Sequence, residues 1–124
     1  MKKIFTILGF FICVSMFAQN GDVVVDALKA GDAVKFSNYF NSSVDIKLPK
    51  QNEMQNINKT DAATTIKNFF TSNNINGFET ISQREMSGTM YIAGKLKSAK
   101  QDYNITVMMK DKGDNTSVIT VRIN

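Results

Sequence analysis

The last third of the 124-residue chain constrains the fold most, because apolar and polar residues alternate there with a period of two. Successive side chains of a β-strand point to opposite faces of a sheet, so this alternation predicts strands with one buried face. Four strands are predicted, over 78–86, 90–97, 105–110 and 119–123. Ser87 with Gly88, and the Asp-, Gly- and Asn-containing cluster 111–115, are typical of tight turns and predict antiparallel connections.

Upstream of these strands, apolar residues recur at spacings of three and four, which predicts helices with one buried stripe. The first such residues are Val24, Val25, Leu28, Val34, Phe36, Tyr39 and Phe40. Gly31 suits the residue after one helix and Asp32 the N-cap of the next, so two consecutive helices are predicted over 22–30 and 32–40. A third helix is predicted to begin at a Thr60 cap. Its buried stripe is expected to contain Ala62, Ala63, Ile66, Phe69 and Phe70.

One more strand is predicted over 44–48, where apolar residues alternate with Asp45 and Lys47 and Pro49 ends the run. The polar stretch 50–59 is interpreted as a loop. The order of elements is then two helices, a strand, a helix and four strands. This order predicts an α+β domain, with three helices packed on an antiparallel sheet of four to five strands.

The N-terminal residues have the layout of a secretory signal peptide. Lys2 and Lys3 precede an apolar run over 4–17, and Ala18 offers the small residue required at a signal-peptidase site. The run is shorter than the roughly 18 apolar residues that a membrane-spanning helix needs. We therefore expect a cleavable signal peptide over 1–18 and one mature domain over 19–124, exported to the periplasm or cell envelope, or secreted, without a stable membrane anchor.

Composition narrows the chemistry that the mature domain can use. The single cysteine, Cys13, lies within the predicted signal peptide, so no disulfide is expected in the mature domain. The chain contains no histidine, the usual general base near neutral pH and a common metal ligand. Cleavage would remove two lysines from a formal net charge of +4, which leaves no clustered basic charge that favours nucleic acid.

Several stretches resemble one known family over essentially the whole mature chain. These are VVDALKAGDAVKFSNYFNSSVDIKLP, IKNFFTSN, YIAGKL and the closing SVITVRIN. The chain thereby resembles the DUF4783 family of exported Bacteroidetes proteins, in the NTF2-like (cystatin-like) superfamily. The resemblance implies a curved sheet wrapped around the long helix, with a conical cavity between them. It implies no activity, because the shared motifs are packing and turn features.

The candidate catalytic groups are few. NTF2-like enzymes, which the chain resembles in fold, place an acid or base in the cone. Without histidine, the remaining arrangement is Asp45 with Tyr39, Tyr91 or Tyr103. Asp45 falls on the polar face of its strand, which favours an ordinary solvated aspartate. We therefore predict no catalytic residue, no metal ligand and no cofactor.

Charged and aromatic residues offer weaker candidates. Lys95, Lys97 and Lys100 are interpreted as a solvated strand face, and Asp111 with Asp114 as part of a hairpin turn rather than a calcium loop. The aromatic residues are expected to be mostly core. Where a cavity remains, its predicted lining is Tyr39, Phe40, Phe70, Tyr91 and Met108.

These observations favour a non-enzymatic module that binds a small apolar ligand or a partner protein of the cell envelope through its concave sheet. The supply of aromatic and methionine side chains and the missing catalytic groups support this interpretation. A histidine-free lyase or isomerase, with a buried carboxylate and a tyrosine in the cone, is the alternative. A homodimer formed across the open sheet face is a third hypothesis.

The exported protein is expected to begin at Gln19, because cleavage after Ala18 releases residues 1–18. Intact-mass spectrometry of protein recovered from its producing cells measures this directly. Ala18→Glu is expected to leave the precursor uncut, since the peptidase needs a small residue beside the bond. A mature protein that retains residues 1–18 would show that the signal-peptide interpretation is wrong.

Overall fold

The computed structural model describes residues 16–112 and 115–124, with side chains for 21–110 and 116–124. Residues 1–15 of the predicted signal peptide lie outside the described residues. Residues 16–18, its last three, form the start of the first helix. The elements follow in the order α1 (Met16–Lys29), α2 (Ala33–Ser37), β1 (Phe40–Lys47), β2 (Met54–Asn58), α3 (Lys59–Ser72), β3 (Gly77–Met86), β4 (Thr89–Lys97), β5 (Tyr103–Lys112) and β6 (Asn115–Ile123).

The described strands form one six-stranded sheet in the order β2-β1-β6-β5-β4-β3. Strands β3 to β6 form the predicted antiparallel meander. Strand β1 lies between β2 and β6 and is parallel to β6, so the first strand of the chain joins the last one. Strands β5 and β6 pair as far as Lys112 and Asn115, so residues 111, 112 and 115 of the predicted turn belong to strands, and its residues 113 and 114 lie outside the described residues.

The prediction of four to five strands is wrong, because β2 forms within the stretch 50–59 that was interpreted as a loop. Met54 and Ile57 are its half-buried residues, three positions apart, so its sequence lacks the period-two alternation. The register with β1 shifts by one residue between these two positions, and Asn56 there has φ of 55°. A β-bulge of this kind places an extra residue in one strand and disrupts the pattern by which strands are predicted.

Gly31 and Asp32 determine where α1 ends and where α2 begins. Gly31 has φ of 66°, a left-handed conformation that suits the residue after a helix. Asp32 caps α2, and its Oδ1 accepts a hydrogen bond from the Lys35 backbone N at 3.0 Å. Helix α2 ends at Ser37 rather than at Phe40 as predicted, because Phe40 already pairs with Val118 of β6.

The N-cap of helix α3 lies two residues earlier than predicted. It is Asn58, not Thr60. Asn58 Oδ1 accepts a hydrogen bond from the Asp61 backbone N at 2.8 Å, and Asn58 Nδ2 donates to Asp61 Oδ2 at 3.0 Å. The buried stripe is Ala62, Ile66 and Phe70, with Ala63 and Phe69 half-buried beside it. Among the described residues, no helix is long and apolar enough to cross a membrane.

The core lies between the helices and one face of the sheet, here called the inner face. Strand β4 contributes Met90, Ile92 and Leu96, and β5 contributes Ile105, Val107 and Met109. The alternation along both strands is as predicted. In β6, Val121 and Ile123 are buried and Arg122 is exposed as predicted. The prediction is wrong at Ile119 and Thr120, because the register with β5 skips Ile119, and Val118 and Thr120 are buried.

Gly31→Ala is expected to destabilise the protein more than Gly88→Ala, although both glycines have positive φ. A left-handed alanine costs about 1–2 kcal/mol at either position. At Gly31 the added Cβ would also lie 2.6 Å from the Ile75 carbonyl oxygen, whereas at Gly88 no atom lies within 4 Å. Strain of this kind adds roughly 1 kcal/mol or more to the loss. Urea unfolding of the two variants measures the difference, and equal losses would contradict the role of the Ile75 contact.

Candidate binding surface

The five residues predicted to line a cavity lie on two sides of the sheet. Phe40 and Phe70 are buried in the core, and Tyr39 is half-buried against it. Tyr91 and Met108 are half-buried side chains of β4 and β5. The structure therefore brings Tyr91 and Met108 together and separates them from the other three. Ligand binding by any of the five stays a prediction.

The position of Met90 shows which way Tyr91 points. A Cβ built on Gly21 of α1 would come within 2.6 Å of the Met90 sulfur, so Met90 faces the helices. Neighbouring side chains of a strand point to opposite faces. Tyr91 therefore lies on the face away from the helices, the outer face, and so does Met108, which stands opposite it in the register of β4 and β5.

Two adjacent cross-strand pairs form a continuous patch on this face. Tyr91 stands opposite Met108, and Ala93 stands opposite Thr106. All four side chains are half-buried, and they constitute what we call the outer patch. Side chains that face one another across antiparallel strands are close enough to contact. Ala93 and Thr106 were not predicted as site residues, although the alternation places them on the same face as Tyr91 and Met108.

The outer patch continues across the sheet on both sides. On β6, Thr120 stands opposite Met108 and is only 7% exposed. On β3, Arg84 stands opposite Tyr91 and Ser82 opposite Ala93. The patch thus occupies the middle of the outer face, where no described helix covers it, and its neighbours on both flanks are polar. An aromatic ring, a thioether and two methyl-bearing side chains are presented together.

Two basic side chains of the outer face, Arg122 and Lys97, form ion pairs. Arg122 Nε lies 3.1 Å from Glu53 Oε1. Lys97 Nζ lies 2.9 Å from Asp102 Oδ2 and 3.3 Å from Glu79 Oε1. The hydrogen bonds to Asp102 and to Glu79 raise the pKa of Lys97 above its ordinary value. Such exposed pairs contribute little to stability but fix the charge pattern around the outer patch.

Asp45 has a structural partner rather than a catalytic one. Its Oδ1 accepts a hydrogen bond from the Asn56 backbone N at 2.9 Å, at the bulge of β2. Every carboxylate whose side chain is described is exposed or half-buried, so the buried carboxylate required by the enzyme alternative is not found among them. Tyr103 is buried, but its hydroxyl donates to Asn73 Oδ1 at 2.9 Å. The described residues contain no group of three potential metal-ligating side chains.

The space where the resemblance implies a conical cavity is occupied by aromatic rings. Phe36 meets Phe40 edge-on at 5.2 Å between ring centroids and stacks on Phe70 at 6.5 Å. Phe69 meets Tyr103 edge-on at 5.2 Å. Leu28, Ile66, Ile92, Leu96, Ile105 and Met109 are fully buried around these rings. The protein's own side chains therefore fill the interior between helices and sheet.

Two of the depressions at the surface are lined in part by Tyr39, Phe40 and Phe70. One of about 560 Å³ lies where the corner between α1 and α2 meets the end of α3, with Phe70 in its wall. It is lined by Ala30, Gly31, Asp32, Ala33, Val34, Lys67, Phe70, Thr71, Asn74 and Ile75. The other, of about 320 Å³, includes Tyr39 and Phe40 in its lining. Of the residues predicted to line one cavity, Phe70 therefore lines one depression, and Tyr39 and Phe40 line another.

Comparisons with known proteins agree with this architecture. A family model, "Domain of unknown function (DUF4783)", matches residues 21–124. The chain is similar to a DUF4783 family protein from Bacteroides ovatus, at 22% identity and a TM-score of 0.75, over 82% of this chain and 90% of that one. It is also similar to a DUF4783 family protein from Bacteroides uniformis, at 18% identity and a TM-score of 0.76, over 83% of this chain and 94% of that one.

A more distantly related structure shares the same fold. An NTF2-like protein of unknown function from Pseudomonas putida is 11% identical, with a TM-score of 0.66, over 89% of this chain and 84% of that one. No functionally curated protein matches the chain. At these identities the structural likeness shows the fold alone, which is NTF2-like.

Asp45→Ala is expected to lower the free energy of unfolding by about 1 kcal/mol, the usual value of one lost hydrogen bond. Asp45→Asn retains a side-chain oxygen that can accept from the Asn56 backbone N, so it is expected to keep most of the stability. Urea unfolding of both variants tests this. If Asn and Ala cost the same, the hydrogen bond at the bulge is not what Asp45 contributes.

Proposed function

The chain belongs to the DUF4783 family, and from that premise we propose that it is a non-enzymatic binding module of the cell envelope. It recognises a partner protein, and the contact is made through the outer patch. The observation that supports this is the pairing of Tyr91 with Met108 on the face of the sheet that no described helix covers.

The residue types of the outer patch suit a protein interface. Tyrosine and methionine are enriched where proteins meet, relative to the rest of the surface. Tyr91 offers a large rigid contact area, and Met108 adapts its shape to the partner. Both belong to central strands of the sheet, which hold them at fixed positions. Their exposed polar neighbours Ser82 and Arg84 resemble the rim of such an interface.

The interior of the domain favours a protein partner over a small apolar ligand. The rings of Phe36, Phe40 and Phe70 occupy the space that such a ligand would need. The depression beside α2 is the remaining place for a small molecule. Its volume is within the range of ligand sites, and Val34 in its wall is 57% exposed. It is open to solvent, however, whereas small-molecule sites enclose most of their ligand.

Export rests on the N-terminal pattern of Lys2, Lys3 and the apolar run 4–17. The family match over 21–124 covers the predicted mature domain and begins beyond the predicted cleavage site. The proposed partner is therefore a protein of the periplasm or cell envelope.

The proposal is tested by native mass spectrometry of the tagged protein, released gently from the envelope of its producing cells. Wild-type protein is expected to carry a second protein in stoichiometric amount. The Tyr91→Thr and Met108→Thr double variant is expected to retain at least tenfold less of it, since truncated anchor side chains typically cost 1.4 kcal/mol or more. Threonine keeps a high strand propensity, so the sheet is expected to form normally.

Val34→Thr is the matched control, because it removes an exposed apolar side chain that is not part of the outer patch. It is expected to carry the partner like wild type. Equal capture by all three proteins would contradict recognition through the outer patch. A protein that emerges without any partner would contradict the proposal itself, and a copurifying small molecule lost on Val34→Thr would point to the depression beside α2.

A further inference from the structure

Strand β3 leaves one edge of the sheet open. It is the last strand in the sheet order, and among the described strands it pairs only with β4. Residues 79–86 are all exposed. Ile81 at 63% and Met86 at 48% are two of the three large apolar side chains found exposed in the described part of the chain. An open edge of this length is a template for pairing with another strand.

The opposite edge of the sheet is less suited to pairing. Strand β2 has five residues, whereas β3 has ten. Short edge strands resist further pairing. We propose that the β3 edge pairs antiparallel with the β3 edge of a second copy of this chain, so that the two sheets join into one.

The charges along β3 select the register of this pairing. Full overlap of Gly77–Met86 with the same strand of the second copy sets Gly77 opposite Met86. Glu79 then stands opposite Arg84 of the second copy, and by symmetry the contact occurs twice. A shift by two residues, which keeps matching faces opposite each other, would set Glu79 opposite Ser82 or Met86 and lose this contact. Opposite charges across a strand pair stabilise it and like charges destabilise it, so full overlap is preferred.

The bulge in β3 makes this register geometrically possible. Glu79 and Arg84 are five positions apart, and in a regular strand they would point to opposite faces. The register with β4 skips one residue between Thr80 and Ser82. Glu79 stands opposite Lys95 and Arg84 opposite Tyr91, which are four positions apart on the regular strand β4. Both charged residues therefore lie on the outer face, as a direct cross-strand contact requires.

The two charged groups are available for this contact. No ion pair of Arg84 is found among the described residues. The Glu79 side chain is 64% exposed, with Lys97 on one side at 3.3 Å, and a carboxylate can accept from two cations. Near the symmetry axis, Ile81 stands opposite Ser82 of the second copy. Pairing there would cover the most exposed large apolar side chain of the described residues.

The dimer is tested by charge reversal. Sedimentation of the full-length protein over a range of concentrations is expected to show a monomer–dimer equilibrium. Glu79→Arg and Arg84→Glu, each alone, create two like-charge contacts and are expected to weaken dimerisation about tenfold. The double variant restores opposite charges and is expected to return the dimer dissociation constant to within roughly threefold of wild type.

The double variant also separates the contact between copies from the stability of the fold. Glu79→Arg loses the ion pair with Lys97 in the single and in the double variant alike, so rescue cannot come from that pair. Glu85→Arg is the matched control on the same strand, because Glu85 would face Phe78 rather than a charge. It is expected to change the dissociation constant by less than roughly threefold.

The remaining outcomes overturn the inference. A wild-type protein that stays monomeric at every concentration has no such edge contact. A dimer that tolerates both single reversals, or a double variant that is not rescued, uses another surface. If the Tyr91→Thr and Met108→Thr variant abolishes the dimer while the charge reversals do not, the copies meet through the outer face.

Discussion

The packing of Phe36 is the interaction on which the rest of the structure depends. Its ring is fully buried and contacts Phe40 of β1 and Phe70 of α3. Helix α2, which carries it, has only five residues, and so short a helix is not stable in water without tertiary contacts. The Asp32 cap and the Phe36 ring hold α2 in place, and α2 in turn sets the path of the chain into β1.

This core gives the two faces of the sheet different roles. The inner face is occupied by apolar side chains that pack on the helices, so it provides stability. The outer face keeps half-exposed side chains at fixed spacing on strands that the core makes rigid. Substitutions on the outer face are therefore expected to disturb the core less than substitutions on the inner face.

The sequence predicted secondary structure well where a single pattern, such as apolar–polar alternation, determined it. Strands β4 and β5 were predicted well because Met90 to Leu96 and Ile105 to Met109 alternate without interruption. Bulges could not be predicted, since the residue that interrupts a register, such as Asn56, has no distinctive signal of its own. The end of α2 was missed because the competing β1–β6 pairing is a contact between residues far apart in sequence. The outer patch was partly predictable, because the alternation along β4 already assigned Tyr91 and Ile92 to opposite faces of the sheet. The expectation of an interior cavity nevertheless grouped Tyr91 with Phe40 as lining residues of that cavity.

The parallel pairing of β1 with β6 has a consequence for the order in which the molecule can assemble. On the β6 side, Asp45, Ile46 and Lys47 pair with Thr120, Val121 and Arg122, which come 75 residues later in the sequence. Contacts between such distant segments form late, because a long loop must close before they give any stability. The sheet therefore stays incomplete until the C-terminal strand is present. A chain without β6 loses the bridge between the β1–β2 hairpin and the meander.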